Sequence, residues 1–246
     1  MSKFQNEVAR RIVENGDSLE LLTAASDFIQ KSTSPKYCYN FSFLGRPVIQ
    51  YPQDMVAMQE IIWATKPDLI IETGIAHGGS LIMSAAMLEL NAACGGNPDT
   101  YVVGVDIDIR QHNRVEIEKH PMSKRIKMLE GSSIAPEIVS QITKMVEGKG
   151  SVLVCLDSMH SHKHVLAELN AYAHLATLGN YCVVFDTIIE DLPNNQYPDR
   201  PWNVGNNPKT AVHEWLKTNK TFEIDKSMQN KLLITVCPDG FLKRVV

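Results

Sequence analysis

The chain has 246 residues, 44% of them hydrophobic and 21% charged, which is enough apolar sequence for the core of one sizeable domain. Its 24 Lys and Arg against 28 Asp and Glu leave a formal net charge of -4 with both signs scattered, so a nucleic-acid backbone is excluded as the expected main ligand. No apolar run approaches the ~20 residues of a bilayer-spanning helix, and the first residues lack the apolar stretch of a signal peptide. We therefore expect a soluble, cytoplasmic protein.

The five cysteines lack the spacing of metal ligands, which predicts reduced, mostly buried thiols and no zinc site.

Residues 1–53 carry two helical patterns followed by an aromatic stretch that includes Tyr37, Tyr39 and Phe41. We expect this segment either to form a lid over the active face or to be a packing arm or oligomer contact. The predicted division is therefore a helical lid segment at 1–53 and a catalytic domain at 54–246.

Beyond residue 53, short apolar runs alternate with segments of helical periodicity. Alternation of this kind is typical of an α/β domain with a mainly parallel sheet. After the last run, the turn Pro238-Asp239-Gly240 predicts a closing hairpin, antiparallel to the other strands. The apolar runs lie at 69–73, 101–106, 126–129, 152–156, 181–185 and 232–237, and the helical segments at 54–65, 79–90, 110–119, 135–146, 162–175 and 209–218.

The run at 69–73 leads into a glycine-rich turn and then a helix. Ligands of open α/β sheets bind at such strand ends, and Gly74 and Gly78 would let the backbone approach a bound molecule closely. Glu72 offers an acceptor, and His77 and Ser80 complete the set of expected cofactor contacts. The spacing matches neither GxGxxG nor the P-loop, and no lysine follows to reach a phosphate.

Two later strand ends add polar groups to this candidate pocket. Asp106 ends the second run, where a carboxylate accepts hydrogen bonds from ribose hydroxyls in nucleoside-binding sheets. Ser132 lies in a small polar turn after the third run, which suits an adenine edge. Together these residues predict a nucleoside cofactor.

Two stretches, Asn40–Asp54 (NFSFLGRPVIQYPQD) and Pro67–Ser80 (PDLIIETGIAHGGS), resemble the cephalosporin hydroxylase family. The resemblance extends from about residue 37 to the end of the chain. It implies a class I methyltransferase (Rossmann-like) fold, a doubly wound and mainly parallel seven-stranded sheet. It also implies similarity to metal-dependent sugar O-methyltransferases, with S-adenosylmethionine (SAM) and a divalent cation, usually Mg²⁺, as cofactors.

Asp157 and Asp186 follow the fourth and fifth runs. Adjacent parallel strands end side by side, and two neighbouring carboxylates repel unless a cation or a proton lies between them. Oxygen ligands with open positions suit Mg²⁺. The similar metal-dependent O-methyltransferases generally carry an Asp-Asn or Glu-Asp pair on the fifth strand. This pair is incomplete here, so the third ligand is Thr187, or Glu190 or Asp191 folding back, or water.

His160 is the candidate general base, because histidine titrates near neutrality and could take the proton of a cation-polarised hydroxyl. The resemblance implies the same role for this position. His162 and His164 are expected on the polar, exposed face of a helix, and His77 is expected to contact the cofactor or the lid.

The predicted function is methylation of a hydroxyl on a small molecule, a sugar or glycosylated natural product. The alternatives are a natural-product hydroxylase, which would need two histidines and one carboxylate on iron, and a non-catalytic partner with the same fold. The loop at 192–208 is either functional or disordered, and its segment Tyr197–Trp202, with the aromatic residues of the lid, suits a sugar ring or simple packing. We expect a homo-oligomer and neither a nucleic-acid nor a membrane partner.

Overall fold

The computed structural model describes residues 2–194 and 196–246. Nine strands lie in this part of the chain: β1 (Phe41–Phe43), β2 (Arg46–Val48), β3 (Leu69–Thr73), β4 (Tyr101–Asp106), β5 (Ile126–Glu130), β6 (Val152–Leu156), β7 (Tyr181–Val184), β8 (Phe222–Ile224) and β9 (Phe241–Arg244). Its α-helices are α1 (Lys3–Asp17), α2 (Leu19–Thr33), α3 (Pro52–Thr65), α4 (Gly79–Ala93), α5 (Gln111–Lys119), α6 (Pro136–Val146), α7 (His162–Tyr172), α8 (Pro208–Thr218) and α9 (Lys226–Leu232).

The central sheet has seven strands in the order β5-β4-β3-β6-β7-β9-β8. The strands β3 to β7 pair in parallel, and β9 is antiparallel to both β7 and β8. The order reverses direction between β3 and β6, which creates the switch point at which ligands of doubly wound sheets bind. The predicted α/β, doubly wound architecture with antiparallel C-terminal strands is confirmed.

Helices cover both faces of this sheet, which explains why its strands are continuous apolar runs. Alternate residues of β3 point to opposite faces: Ile70 joins a core cluster with α3 and α4, whereas Leu69 and Ile71 join a second cluster with α6, α7 and α8. The buried strands are therefore rigid, and the polar residues that follow them are held at defined positions on one rim.

The predicted strand at 232–237 is wrong. Residues 233–237 form an irregular segment after α9, in which Leu233 has a positive φ of 59°. The reason is a buried carboxyl, Asp54, which accepts hydrogen bonds from the Val236 amide at 3.0 Å and from the Thr235 hydroxyl. The Val236 amide therefore donates to a side chain and not to the backbone of a neighbouring strand. The partner of β9 is β8, which is too short to give an apolar run.

The segment before α3 folds as two helices followed by the β1–β2 hairpin. Leu44 and Gly45 form the hairpin turn, both with positive φ, as two-residue hairpin turns require. The hairpin packs closely on the start of α4. The Pro47 carbonyl lies so near Gly79 that a Cβ at position 79 would overlap it. The hairpin therefore lies beside the glycine turn, which is a position compatible with a lid. The lid role and the division at residue 53 stay predictions.

Three of the five cysteines, Cys155, Cys182 and Cys237, are buried, as expected, and all five are free thiols. Within residues 2–194 and 196–246, no helix combines the length and the hydropathy needed to cross a bilayer.

Candidate active site

The turn between β3 and α4 depends on its glycines. Gly74 has a φ of +88°, and a Cβ there would overlap the Asp157 carbonyl at the end of β6. Gly78 occupies the left-handed region at the N-cap of α4, where an L side chain is strained. Gly74 therefore lets the ends of β3 and β6 approach closely enough to share one pocket.

Asp106 holds the same turn from the neighbouring strand. Its carboxylate accepts hydrogen bonds from the amides of Ile75 at 2.8 Å and Ala76 at 3.2 Å, and from the Asp108 amide at 3.1 Å. This carboxylate lies against the predicted cofactor turn, and its ribose-binding role stays a prediction.

Glu72 is buried below the start of α4, with 4% of its surface exposed. Ser80 donates a hydrogen bond to one carboxyl oxygen, and Ser84 donates to the other at 3.5 Å. Burial raises the pKa of Glu72 to about 7, although these hydroxyl donors act to lower it. Glu72 and Ser80 thus join the end of β3 to the start of α4, and their role as cofactor contacts stays a prediction.

His77 connects the turn to the N-terminal hairpin. Its carbonyl accepts hydrogen bonds from the Arg46 guanidinium at 3.0 and 2.6 Å, and Arg46 also donates to Asn113 at 3.0 Å. This contact joins the hairpin to the glycine turn through the His77 backbone, and the role of His77 as a cofactor or lid contact stays a prediction. Ser132 lies half-buried in the turn after β5, where its carbonyl accepts from Ala135 at 2.9 Å, and its predicted place beside adenine stays a prediction.

A cluster of possible metal ligands lies beyond the glycine turn, at the ends of β6 and β7. One ligand atom from each of Asp157, His160 and Asp186 lies within 4.8 Å of the other two. His160 Nε2 is 3.0 Å from Asp186 Oδ2. Burial and the neighbouring Asp186 carboxylate raise the pKa of Asp157 well above its ordinary value. Two carboxylates that are this costly to ionise together form a site that a cation would stabilise.

The three candidates for a further ligand lie in other contacts. The Thr187 hydroxyl is fully buried and donates to the Val236 carbonyl at 3.4 Å. Glu190 accepts from the Gly205 amide at 2.8 Å and from the Asn207 side chain, and Asp191 pairs with Lys209. Glu190 is therefore bonded to the loop before α8, and Asp191 is paired with a residue of α8. The assignment of Thr187 as a metal ligand stays a prediction.

Asp186 has a backbone conformation that few non-glycine residues adopt, with φ 55°. The residues after it are held by the irregular 233–237 segment, since the Ile188 amide donates to the Val236 carbonyl at 3.2 Å. Val236 is held in turn by Asp54. No local pattern in the sequence indicates this role of Asp54, because its partners are 181 and 182 positions away and only the fold brings them together.

His164 does not lie on an exposed polar face. Its Nε2 lies 3.1 Å from the hydroxyls of Ser133 and Ser158 and 3.5 Å from the fully buried carboxylate of Glu168. His162 contacts Thr210 at 2.7 Å and Glu214 at 3.1 Å on α8. The expectation for His164 is therefore wrong: the residue connects the turn after β5 to the loop that carries Asp157.

An aromatic ring from a distant part of the sequence lies against the cluster. The Trp202 ring packs edge-on against His160 with centroids 4.8 Å apart, and the Arg200 guanidinium lies over Trp202. Burial raises the pKa of Tyr197 and of Tyr39, and the negative charge of Asp186 contributes to raising both. In the N-terminal segment, Tyr37 packs against Phe28, Phe41 and Tyr51.

Similarity to known proteins agrees with this arrangement. A sequence model of the family described as rhamnosyl O-methyltransferase/CmcI matches residues 35–245. The rhamnosyl O-methyltransferase of Mycobacterium leprae is 31% identical over 206 residues, covering 82% of each chain. The protein of the same name from Mycobacterium tuberculosis is 32% identical over 208 residues, covering 82% of this chain and 78% of its own.

Solved structures show the same fold. An apo structure of CmcI superposes with a TM-score of 0.59 at 18% identity, covering 85% of this chain and 77% of CmcI. CmcI with magnesium and SAM gives 0.58 at 17% identity, covering 85% and 78%. The predicted class I methyltransferase fold is therefore confirmed, and the chain belongs to the rhamnosyl O-methyltransferase/CmcI family.

Proposed function

We propose that this protein is a SAM- and Mg²⁺-dependent O-methyltransferase that methylates a hydroxyl of a sugar-containing small molecule. The observation that carries the proposal is the cluster of Asp157, His160 and Asp186 beside the glycine turn. The cluster places a cation site within reach of the switch point where the cofactor of such a sheet binds.

The relatives support both the reaction and the substrate class. The curated mycobacterial proteins are named rhamnosyl O-methyltransferases and align over most of both chains. A CmcI structure carries magnesium and SAM. A sugar is also a good match for the site, because the Trp202 ring supplies aromatic surface beside His160 and sugar rings have apolar faces that pack on such surfaces.

The donor set fits a divalent cation. Asp157 and Asp186 supply hard oxygen ligands, and the carboxylates would bind with positions left open for water or a substrate hydroxyl. When bound, the cation supplies charge that lowers the pKa of a coordinated hydroxyl. The protein contributes position, because the Asp157 backbone is fixed by the close packing at Gly74, and the residues just after Asp186 are fixed by the bond from the Ile188 amide to the Val236 carbonyl.

His160 is placed to take the proton of the substrate hydroxyl. Its Nε2 faces Asp186 at 3.0 Å, which leaves Nδ1 to accept a proton. The Asp186 carboxylate then stabilises the imidazolium and fixes its orientation, as carboxylates do beside catalytic histidines. Trp202 packs against the ring and excludes water from that side.

The hydroxylase alternative is less well supported by the composition of the cluster. Non-haem iron oxygenases use two histidines and one carboxylate, whereas this cluster has one histidine and two carboxylates. A non-catalytic partner with the same fold would have no need of the cluster. The homo-oligomer expected from the sequence stays a prediction.

The test is a methyl-transfer assay with rhamnosyl glycosides and SAM, in which the product gains the mass of one CH₂ group. We expect chelation by EDTA to abolish transfer and Mg²⁺ to restore it. Asp157→Asn and Asp186→Asn are expected to lose the Mg²⁺-restored activity. Asp191→Asn, which alters an acid paired with Lys209 outside the cluster, is the matched control and keeps it. Full turnover after exhaustive chelation would contradict a metal-dependent reaction.

A further inference from the structure

A small cavity lies between the N-terminal hairpin and the glycine turn. It has a volume of about 50 Å³ and is lined by Pro47 to Gln50, Gly74 to Ser80, and Asp157. A cavity of this size has room for a group such as an ammonium but not for a nucleoside. Its walls come from the lid, from the predicted cofactor turn and from the acidic cluster, so it lies where these three parts of the site meet.

Gln50 is the unusual member of this lining. It is 3% exposed, and its amide oxygen Oε1 is buried with no hydrogen-bond partner among the described residues. A buried acceptor without a partner is destabilising, and most native proteins satisfy nearly all such groups. A ligand that donates a hydrogen bond to Gln50 Oε1 in the bound state would explain why this destabilising acceptor is present in the free protein.

The strand order indicates which end of SAM reaches this cavity. Asp106 ends β4 on one side of β3, and Asp157 directly follows β6 on the other. The ribose side of the pocket is therefore the Asp106 side, whereas the sulfonium methyl must face the acidic cluster. The cavity includes Asp157 and excludes Asp106, so the amino-acid end of the cofactor, which is attached to the same sulfur, is the part nearest to Gln50.

The hydrogen-bonding character of Gln50 distinguishes the two groups at that end. Its buried Oε1 has no partner among the described residues, and an amide oxygen can only accept a hydrogen bond. The carboxylate of SAM has no proton to donate, whereas the α-ammonium has three. The α-ammonium is therefore the group that Gln50 Oε1 can bind.

We propose that Gln50, which lies just after the N-terminal hairpin, binds the α-ammonium group of SAM through its side-chain oxygen. This role rests on the proposed function, because it requires SAM as the cofactor. It makes the hairpin part of the cofactor site, and the Arg46 contact to the His77 carbonyl then anchors the hairpin in the position that binding requires.

The test uses calorimetry with two ligands that share the nucleoside. S-adenosylhomocysteine has the amino-acid end, and 5′-methylthioadenosine lacks it. Gln50→Met keeps the length of the side chain and removes the amide, and Gln50→Glu keeps an acceptor. Gln53→Met is the matched control, because Gln53 also has a buried amide oxygen without a partner but does not line the cavity.

We expect Gln50→Met to bind S-adenosylhomocysteine about ten- to a hundredfold more weakly, the range for one hydrogen bond to a charged group. Its affinity for 5′-methylthioadenosine and its melting temperature without ligand are expected not to fall. Gln50→Glu and Gln53→Met are expected to bind S-adenosylhomocysteine as the wild type does.

Three results would overturn this role: unchanged binding of S-adenosylhomocysteine by Gln50→Met, equal weakening of both ligands, or equal weakening by Gln53→Met. A wild-type protein that binds neither ligand would overturn the proposed function itself. The two failures are therefore distinguishable.

Discussion

The buried carboxyl of Asp54 gives the most direct test of the physical reasoning. It is 1% exposed and lies in the first turn of α3, where it faces the 233–237 segment. Burial raises its pKa from 3.8 to about 7, even though Thr235 and Val236 donate hydrogen bonds that act to lower it, and the charge of Asp186 raises it slightly further. The protein thus holds the proton of Asp54 more tightly when folded than when unfolded.

The sign and size of the effect follow from linkage. Because the folded pKa is the higher one, the contribution of the protonated carboxyl is fully present below pH 3.8 and is lost as the pH rises to about 7. Each pH unit in that window costs about 1.4 kcal/mol. Between pH 5 and pH 8 the unfolding free energy therefore loses about 2 to 3 kcal/mol from this one group.

Asp54→Asn removes this loss, because asparagine cannot ionise. Its amide oxygen can accept from the Val236 amide, and its NH₂ group can donate to the Thr235 hydroxyl, so both contacts are kept. Urea unfolding, followed by tryptophan fluorescence, measures the free energy at each pH. We expect Asp54→Asn to gain about 2 to 3 kcal/mol relative to wild type between pH 5 and pH 8.

Asp54→Ala is the control, since it leaves the Thr235 and Val236 donors without their acceptor and is expected to be destabilising at both pH values. If the difference between Asp54→Asn and wild type stays constant from pH 5 to pH 8, the carboxyl does not change its ionisation in that window. The raised pKa, and the burial argument behind it, would then be refuted.

Three further predictions concern the site and its supports. His160→Ala is expected to abolish methyl transfer and to leave S-adenosylhomocysteine binding intact, because the imidazole acts only when the substrate hydroxyl loses its proton. Turnover above about a tenth of wild type, measured with saturating Mg²⁺, would exclude it as the base. Asp106→Ala is expected to weaken S-adenosylhomocysteine by about 1 to 3 kcal/mol in calorimetry, and unchanged affinity would place the ribose elsewhere. Partial burial acts to raise the pKa of Asp239, but hydrogen bonds from Lys226 and His213 lower it overall. Asp239→Asn is therefore expected to destabilise the protein at neutral pH, with the difference from wild type shrinking as the pH falls through the acid range, and a difference that grew in acid would contradict the sign.

Much of the site could be predicted from the sequence because parallel strands end at one rim. The apolar runs that became β3, β4, β6 and β7 were visible as buried segments, and each is followed by a polar residue. Glu72, Asp106, Asp157 and Asp186 were therefore expected near one another, and the last two are brought together with His160. This prediction needed only local periodicity and the rule that links alternating strands and helices to a parallel sheet.

Tertiary structure alone decided how these residues are supported. Asp54 meets Val236 across 182 positions of sequence, and the burial of that carboxyl turns an apolar run that looks like a strand into an irregular segment that holds the residues after Asp186. Gln50 is likewise buried with an unpartnered acceptor beside the glycine turn, which its sequence neighbours do not indicate. Such contacts have no local signal, because a hydrogen-bond partner is chosen by distance in the folded chain and by the cost of leaving a buried polar group unsatisfied. The sequence by itself therefore determined the strands and the rim on which the chemistry lies, and the fold determined which side chains hold that rim in place.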